Sequence, residues 1–498
     1  MKCNILCGGQ AGQGPNVLAN IIVEGLIKKG FYVFCSREYE SRIRGGHNFN
    51  LITFSEKPIE SNSSEIDILI SIDENTEKIH TDKLKPNSII LKGALNNISY
   101  AGRVFRIFNL DINILDSYLK KLKNYEGNIK EAKKGYEDEK RKINLPEIGK
   151  SKMIYSMNGS ESIAIGAINS EIEFYYGYPM TPSTGVLSEL SQKQKTNKHI
   201  TIELESEIAV INAAIGSALT GSKVMVGTSG GGFDLMTEAL SLTGMAEVPM
   251  VIYLAQRPGP STGLATLTAQ SDLNAARHAG HGEFSRIIIA PGNAKEAIEK
   301  TSEIFYFTQK YKVPGIILSD KHLAESIYCF SEEPKIKKSE KSINWPERFN
   351  SYESDENKIS TENSEIIKRA VQKRVEKGIE IAKEIEKFET FKIYGNKNSK
   401  NLILAWGSTK GAILDSIAEL DCKFLQILYL EPLSTQVKLE IEKAKNVIVV
   451  ENNATSQLSS LIAEKTGFFI EDKNKILKYD GRPFLINELC DEIKRRLR

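Results

Sequence analysis

The stretch Lys2-Cys3-Asn4-Ile5-Leu6-Cys7-Gly8-Gly9-Gln10-Ala11-Gly12-Gln13-Gly14-Pro15 opens the chain and sets its fold class. An apolar run passes into glycines, and a helical pattern starts directly after them. From Asn16, residues Val17, Leu18, Ile21, Ile22 and Leu26 fall on one helical face, which Gly30 ends. The next apolar run, Phe31–Cys35, completes strand, glycine loop, helix, strand, the βαβ pattern of a parallel sheet. Further strands are expected at Phe49–Phe54, Ile66–Ile72 and Ser88–Lys92.

The same alternation recurs twice downstream. Apolar runs at Phe174–Tyr176, Thr201–Leu204, Val224–Gly227, Met250–Leu254, Ile287–Ile289 and Gly315–Leu318 predict a doubly wound sheet over residues 154–330. Runs at Asn401–Ala405, Phe424–Tyr429 and Asn446–Val450 predict another αβ domain over 399–498. Residues 111–153, rich in Lys and Glu, read as a solvated helical connector. Residues 331–398 read as a charged helical linker, with a helix from Glu362 to Phe388. The fold class is therefore α/β with three αβ domains, the first covering residues 1–110.

A chain of 498 residues is too long for one core, in keeping with that division. Lys+Arg 66 against Asp+Glu 64 leaves a net charge of +2, which gives no electrostatic reason to expect nucleic acid or an anionic membrane as partner. No apolar run is long enough to span a bilayer, and the first residues reach glycine too soon for a secretory signal, so a cytoplasmic location is expected. The six cysteines include no CxxC pair; Cys3 and Cys7 alone lie close in sequence. They are read as reduced thiols with no metal site among them, and any iron–sulfur chemistry is expected on another chain.

Two proline-rich tracts carry the chemistry. Tyr178-Pro179-Met180-Thr181-Pro182-Ser183-Thr184 and Arg257-Pro258-Gly259-Pro260-Ser261-Thr262-Gly263 each place hydroxyl groups and stiffening prolines after a strand, and the second adds a guanidinium. Such a pair suits capture of a small carboxylate, which Arg binds as a fork; each tract alone also fits an ordinary βα turn. In Glu203-Leu204-Glu205-Ser206-Glu207, Ser206 is a candidate N-cap that puts Glu207 in the first turn of a helix rich in small residues. A dipole-complementary carboxylate is the plainer reading of Glu207. Thr228-Ser229-Gly230-Gly231-Gly232 lacks a Walker lysine and fits close approach of a flat ligand or another chain. The Gly8–Gly14 loop resembles a dinucleotide fingerprint without its spacing, and Glu38 is a weak ribose-binding acid, so an NAD(P)-dependent dehydrogenase is one alternative. Arg42-Ile43-Arg44-Gly45-Gly46-His47 fits a phosphate or a surface loop, and His278–Glu283 reads as a loop.

Taken in order, these segments resemble one family, the 2-oxoacid:ferredoxin oxidoreductases, as an α subunit with a γ domain fused at its N-terminus. The resemblance rests on Tyr178–Ser183, Glu205-Ser206-Glu207-Ile208-Ala209, Met236-Thr237-Glu238-Ala239, Arg257–Gly263, Gln270-Ser271-Asp272-Leu273 and His281-Gly282-Glu283-Phe284. Gly8–Gly14 with Arg44-Gly45-Gly46 is similar to the γ domain; Val449-Val450-Glu451-Asn452-Asn453 and Lys478-Tyr479-Asp480-Gly481-Arg482-Pro483 are similar to the C-terminal transketolase-like domain. The resemblance implies that residues 154–330 bind the pyrimidine half of thiamine diphosphate, with Glu207 as the acid on the ring nitrogen and Pro179, Ser229, Gly230 and Gly232 around the cofactor. It implies that Thr181, Arg257, Tyr178 and Ser183 meet the 2-oxoacid. It also implies a β subunit that holds the diphosphate, magnesium and a 4Fe–4S cluster, in an αβ or (αβ)2 assembly, with coenzyme A as co-substrate and ferredoxin as electron acceptor. Ala265, Gly231 and Ser285 stand where relatives often carry proline, which leaves open the preferred 2-oxoacid, pyruvate or 2-oxoglutarate among them. A non-catalytic scaffold subunit is the remaining alternative.

Overall fold

The structure is a computed structural model that describes residues 1–40, 46–93, 96–120, 122–148, 154–342 and 348–497. Arg42, Ile43, Arg44 and Gly45 lie outside the described residues. The chain divides into two compact units: residues 1–157 with 326–332 and 485–490, and residues 158–325 with 333–484 and 491–498.

In the first unit the strands are Lys2–Gln10 (β1), Tyr32–Glu38 (β2), His47–Ser55 (β3), Ile66–Ser71 (β4), Leu84–Leu91 (β5) and Tyr155–Asn158 (β6). The sheet runs β5-β4-β1-β3-β2, then Ile327–Phe330, then β6. The expected parallel sheet is corrected to a mixed one. β4 lies parallel to β1, but β3 pairs antiparallel with both β1 and β2. The helix Pro15–Lys28 thus connects two strands of like direction with a third wedged between them. It buries Leu18, Ile22 and Leu26 against Ile5, Cys7, Phe31 and Phe54.

The connector also differs from the expected solvated helix. Tyr125–Asp138 is docked on the helix Asn97–Ile107, and glycine is the cause. A Cβ on Gly102 would lie 2.1 Å from the Ala132 carbonyl oxygen, and one on Gly135 would lie 2.2 Å from that of Ser99. Backbone contact at that range is open to glycine alone.

In the second unit, Phe174–Gly177 (β7), Ile200–Glu203 (β8), Val224–Thr228 (β9), Met250–Gln256 (β10), Ile287–Ile289 (β11) and Pro314–Asp320 (β12) form a parallel sheet in the order β11-β12-β10-β9-β7-β8. The next strand, β13, is the Ile327–Phe330 strand already placed in the first sheet. Then follow Phe391–Gly395 (β14), Asn401–Trp406 (β15), Lys423–Ile427 (β16), Tyr429–Glu431 (β17), Asn446–Glu451 (β18) and Lys475–Leu477 (β19). The third sheet runs β14-β16-β15-β18-β19. β14 falls inside the stretch read as linker, and the expected strand Phe424–Tyr429 is two: β16 stays in the third sheet while β17 pairs with β11 at the edge of the second. One apolar core joins the two sheets, with Ile252, Leu254 and Phe233 on one side and Trp406, Leu425 and Val449 on the other. The charged helix spans Ser364–Ile385 and buries only Ile381 and Ile385.

The described cysteines are free thiols, five of them buried. Burial pushes Cys35 up to about 12 and Cys329 up to about 11, so both stay protonated at neutral pH. No helix among the described residues is long and apolar enough to cross a membrane.

Candidate active site

A doubly wound sheet opens a crevice where neighbouring strands send their connections in opposite directions. In the second sheet that point lies between β7 and β9: β7 leads through the helix Thr184–Lys193 to β8 on one side, and β9 leads through Gly230–Met245 to β10 on the other. The loops leaving the carboxyl ends of β7, β8, β9 and β10 carry Thr181, Glu207, Ser229 and Arg257 respectively.

The two proline-rich tracts meet. Arg257 donates from Nη1 to the Thr181 carbonyl oxygen at 2.6 Å. The Thr181 main chain, rather than its hydroxyl, therefore anchors the guanidinium. The guanidinium is half-buried; burial lowers its pKa, and the Asp272 and Glu207 carboxylates oppose that effect. It remains charged at any working pH. Gly263 closes the second tract, since φ is +54° there and a Cβ would lie 1.8 Å from the Pro258 carbonyl oxygen.

Ser183 is buried, and its hydroxyl donates to the Met180 carbonyl at 2.7 Å, closing the turn that displays Thr181. Tyr178 and Pro179 are exposed on the same loop.

Glu207 begins the helix Glu207–Leu219, and the Ser206 hydroxyl accepts from the Ala209 amide as the N-cap. The carboxylate is 5% exposed and sits beside a positive helix end. The glycine run after β9 has a steric reason. A Cβ on Gly232 would lie 2.2 Å from Thr228 Oγ1 and 2.7 Å from Glu207 Oε1, and one on Gly230 would lie 2.9 Å from Asp272 Oδ2. A Cβ on Gly231 would make only an ordinary contact, with the Ser261 carbonyl oxygen at 3.7 Å. Ser229 occupies the N-cap position of Gly230–Met245 without capping it; its hydroxyl is fully buried and has no partner among the described residues.

Asp272 is a site residue that the sequence reading missed. The string Gln270-Ser271-Asp272-Leu273 is visible in the sequence, but nothing local shows that it folds back to Gln256 and Gly230. The third sheet places it there. Gln270 exchanges main-chain and side-chain bonds with Asn452, donates from Nε2 to the Trp406 carbonyl at 2.8 Å, and its own carbonyl accepts from Asn453 Nδ2 at 2.9 Å. Gln457 accepts from the Asn274 amide at 2.9 Å and donates to the Ser271 carbonyl at 2.7 Å. Glu451 in turn orders that corner, accepting from the Leu458 amide, Ser456 and Asn453.

Two other motifs fall away. Gly8 and Gly9 lie within β1, paired with Phe49 and Asn48, and a Cβ on Gly8 would lie 2.5 Å from Thr76. Gly8 and Gly9 are thus strand residues packed in the sheet and not part of a loop at a helix N-terminus, which speaks against the dehydrogenase alternative. His278–Glu283 is a loop pinned by the Ser241 hydroxyl on the His281 amide at 2.8 Å, and no group of three potential metal ligands occurs among the described residues.

Fold, crevice and sequence comparisons together place the chain in the class of 2-oxoacid oxidoreductases with a thiamine-diphosphate-binding domain. Residues 165–391 match the family described as "Pyruvate flavodoxin/ferredoxin oxidoreductase, thiamine diP-bdg", and residues 4–97 match "Pyruvate ferredoxin/flavodoxin oxidoreductase". The chain is 31% identical to the 2-oxoacid:ferredoxin oxidoreductase subunit alpha of Sulfolobus sp, over 98% of this chain and 96% of that one. It is also 31% identical to 2-oxoacid:ferredoxin oxidoreductase 1, subunit alpha, of Sulfurisphaera tokodaii, over 98% and 97%. The 2-oxoglutarate:ferredoxin oxidoreductase from Magnetococcus marinus, solved with 2-oxoglutarate, coenzyme A and succinyl-CoA bound, has the same fold, with a TM-score of 0.90 over the whole of both chains at 22% identity. The chain belongs to the 2-oxoacid:ferredoxin oxidoreductase family and is its α subunit, part of an enzyme that oxidatively decarboxylates a 2-oxoacid to an acyl-CoA.

Proposed function

We propose that the crevice between β7 and β9 is the pyrimidine half of a thiamine diphosphate site, with Glu207 as its acid and Arg257 as the substrate clamp. The observation that carries this reading is the buried Glu207 carboxylate held against the Gly232 backbone, with an unpartnered buried hydroxyl near that glycine in the chain. Gly232 has no side chain where a Cβ would meet the carboxylate, and the buried Ser229 hydroxyl, three residues before it, has no partner among the described residues. A buried polar atom without a partner costs about 1–3 kcal/mol, so a ligand that supplies one is favoured there. These residues fit a flat, nitrogen-bearing ring.

Thiamine diphosphate, when bound, supplies the electron sink for decarboxylation. This chain's residues have separate tasks. Glu207 holds a proton against the ring nitrogen and fixes the ring's protonation state. Arg257, braced by the Thr181 carbonyl, offers its remaining donors to the substrate carboxylate. Ser183 keeps the Thr181 turn in shape. Gly230 lets the Asp272 carboxylate approach the start of the Gly230–Met245 helix.

The diphosphate, magnesium and 4Fe–4S cluster belong on a β subunit in this reading, with coenzyme A as acyl acceptor and ferredoxin as electron acceptor. Exposed apolar side chains next to the crevice support a partner chain: Ile208 lies exposed on Glu207–Leu219, in line with the exposed Asn212 and Gly216, and Leu235 lies exposed on Gly230–Met245. Large apolar side chains exposed in this way beside a half-site mark protein contact. Co-expression with the β subunit tests the reading. The complex is expected to reduce a low-potential acceptor only when a 2-oxoacid and coenzyme A are both present, and the lone chain is expected to be inactive. Full activity of the lone chain would contradict it.

A further inference from the structure

The helix Leu273–His278 joins the crevice to a second cavity in the same unit. Asp272, just before its first residue, packs against Gly230. Its last residues, Arg277 and His278, line a cavity of about 450 Å³ together with Ser285, Arg286, Gly378 and Lys465. Most charges on this wall are matched. Arg277 donates from Nε to Glu431 at 3.2 Å and from Nη2 to Glu464 at 2.7 Å, and Lys465 Nζ reaches both carboxylates at 3.2 Å. Arg286 is different: it forms no ion pair with a described residue. Its Nη1 donates to the Ala276 carbonyl at 3.1 Å, and its guanidinium lies 4.6 Å from the centroid of the Phe284 ring. One carbonyl and one aromatic face therefore hold the group in place and leave it further donors. Burial pulls Arg286 down to about 10, with Glu431 opposing, so it remains charged at neutral pH. The adjacent Ser285 stands where relatives often carry proline, and its hydroxyl makes no hydrogen bond with a described residue. Gly378, on the charged helix, leaves room for it, since a Cβ there would lie 2.8 Å from Ser285 Oγ. Glu283 and His278 are the other titratable groups on the wall; both are exposed.

We propose that this cavity binds a small oxyanion, a carboxylate or a phosphate group, with the Arg286 guanidinium as its main partner and the Ser285 hydroxyl as a second donor. A guanidinium is a planar fork that matches two oxygens of either group. A cation withdrawn from water without a counter-charge is costly, and an anion that supplies one is favoured. Glu431 and Glu464 do not fill that role, because Arg277 and Lys465 already engage them. The cavity exceeds the volume of a bare anion, so the group can belong to a larger molecule.

Isothermal titration calorimetry of the assembled complex, saturated with thiamine diphosphate and magnesium, tests this with acetate and orthophosphate as separate probes. Saturable binding at millimolar concentration or below is expected for at least one probe, and the probe that binds names the class of anion. Arg286→Gln should weaken binding about tenfold or more, because it removes charge-assisted hydrogen bonds. Ser285→Ala should weaken it less, and Glu283→Gln should strengthen it by removing an unmatched like charge from the wall. Arg257→Lys, which alters the crevice, should leave the affinity unaltered and so separates this site from the proposed substrate clamp. Thermal unfolding shows which variants are folded. No saturable binding of either probe, an affinity unmoved by Arg286→Gln, or one lost in Arg257→Lys overturns the inference. Should Arg286→Gln fail to fold, an affinity unmoved in both Ser285→Ala and Glu283→Gln overturns it equally.

Discussion

Gly232→Ala tests the steric logic of the site with one added methyl group. Its Cβ would lie 2.2 Å from Thr228 Oγ1, about 0.8 Å inside the 3.0 Å limit that real Cβ contacts respect, and 2.7 Å from Glu207 Oε1. Thr228 is fully buried, so it has little room to retreat. Overpacking of this kind costs typically ~1–3 kcal/mol of stability. The effect on turnover should be larger in proportion, because a displacement near 1 Å of a reacting group can cost about 100-fold. Gly231→Ala is the matched control: among the described residues its Cβ would reach only the Ser261 carbonyl oxygen, at an ordinary 3.7 Å. Thermal unfolding and acceptor reduction by the assembled complex, measured for both variants, give the comparison. A Gly232→Ala enzyme with unaltered turnover would refute the claim that this glycine makes room for Glu207, as would an equal loss in Gly231→Ala.

Three further outcomes follow from particular contacts. Arg257→Lys loses both the fork and the bond to the Thr181 carbonyl, so KM for the 2-oxoacid should rise about 10- to 100-fold, equivalent to ~1.5–3 kcal/mol; steady-state kinetics measure it. Glu296 is fully buried; Lys410 at 3.1 Å, Lys392 at 3.2 Å and Gln426 at 2.7 Å outweigh its burial and hold its carboxyl at about 2, against an ordinary 4.5. A depressed carboxyl stabilises above its unfolded value, so Glu296→Gln should cost about 3 kcal/mol at neutral pH, a difference that shrinks as pH falls from 4.5 toward 2; denaturant titration at several pH values checks this. Gly102→Ala should release the helix Tyr125–Asp138 from its neighbour and speed amide exchange in that helix, because the new Cβ would strike the Ala132 carbonyl at 2.1 Å.

Local pattern was enough to read the second sheet. Each of its strands is a short apolar run followed by helix, and the Ser206 cap and the Glu207 helix start are both written in adjacent residues. The first sheet was misread because βαβ periodicity reports strand direction and is silent on insertion: nothing in the sequence around His47–Ser55 says that it wedges between β1 and β2. β14 was hidden for a related reason. Phe391–Gly395 is a half-exposed edge strand after a charged helix, and its pairing with β16 is a tertiary fact. Within the site, the Thr181–Arg257 contact follows from the order of the loops in the sheet. Asp272 and the inward turn of Ser183 do not, since they depend on how distant segments such as Asn452 and Gln457 clamp residues 270–274 and on which way one hydroxyl rotates.

Glu207→Gln in the assembled complex tests the central claim most directly. The amide keeps the shape of the side chain and removes its acid function, in a pocket where Ser206 and Gly232 are undisturbed. The account predicts a complex that assembles and retains thiamine diphosphate but has lost 2-oxoacid-dependent acceptor reduction by about 100-fold or more. A Glu207→Gln complex that turns over at the rate of the unaltered enzyme would contradict it.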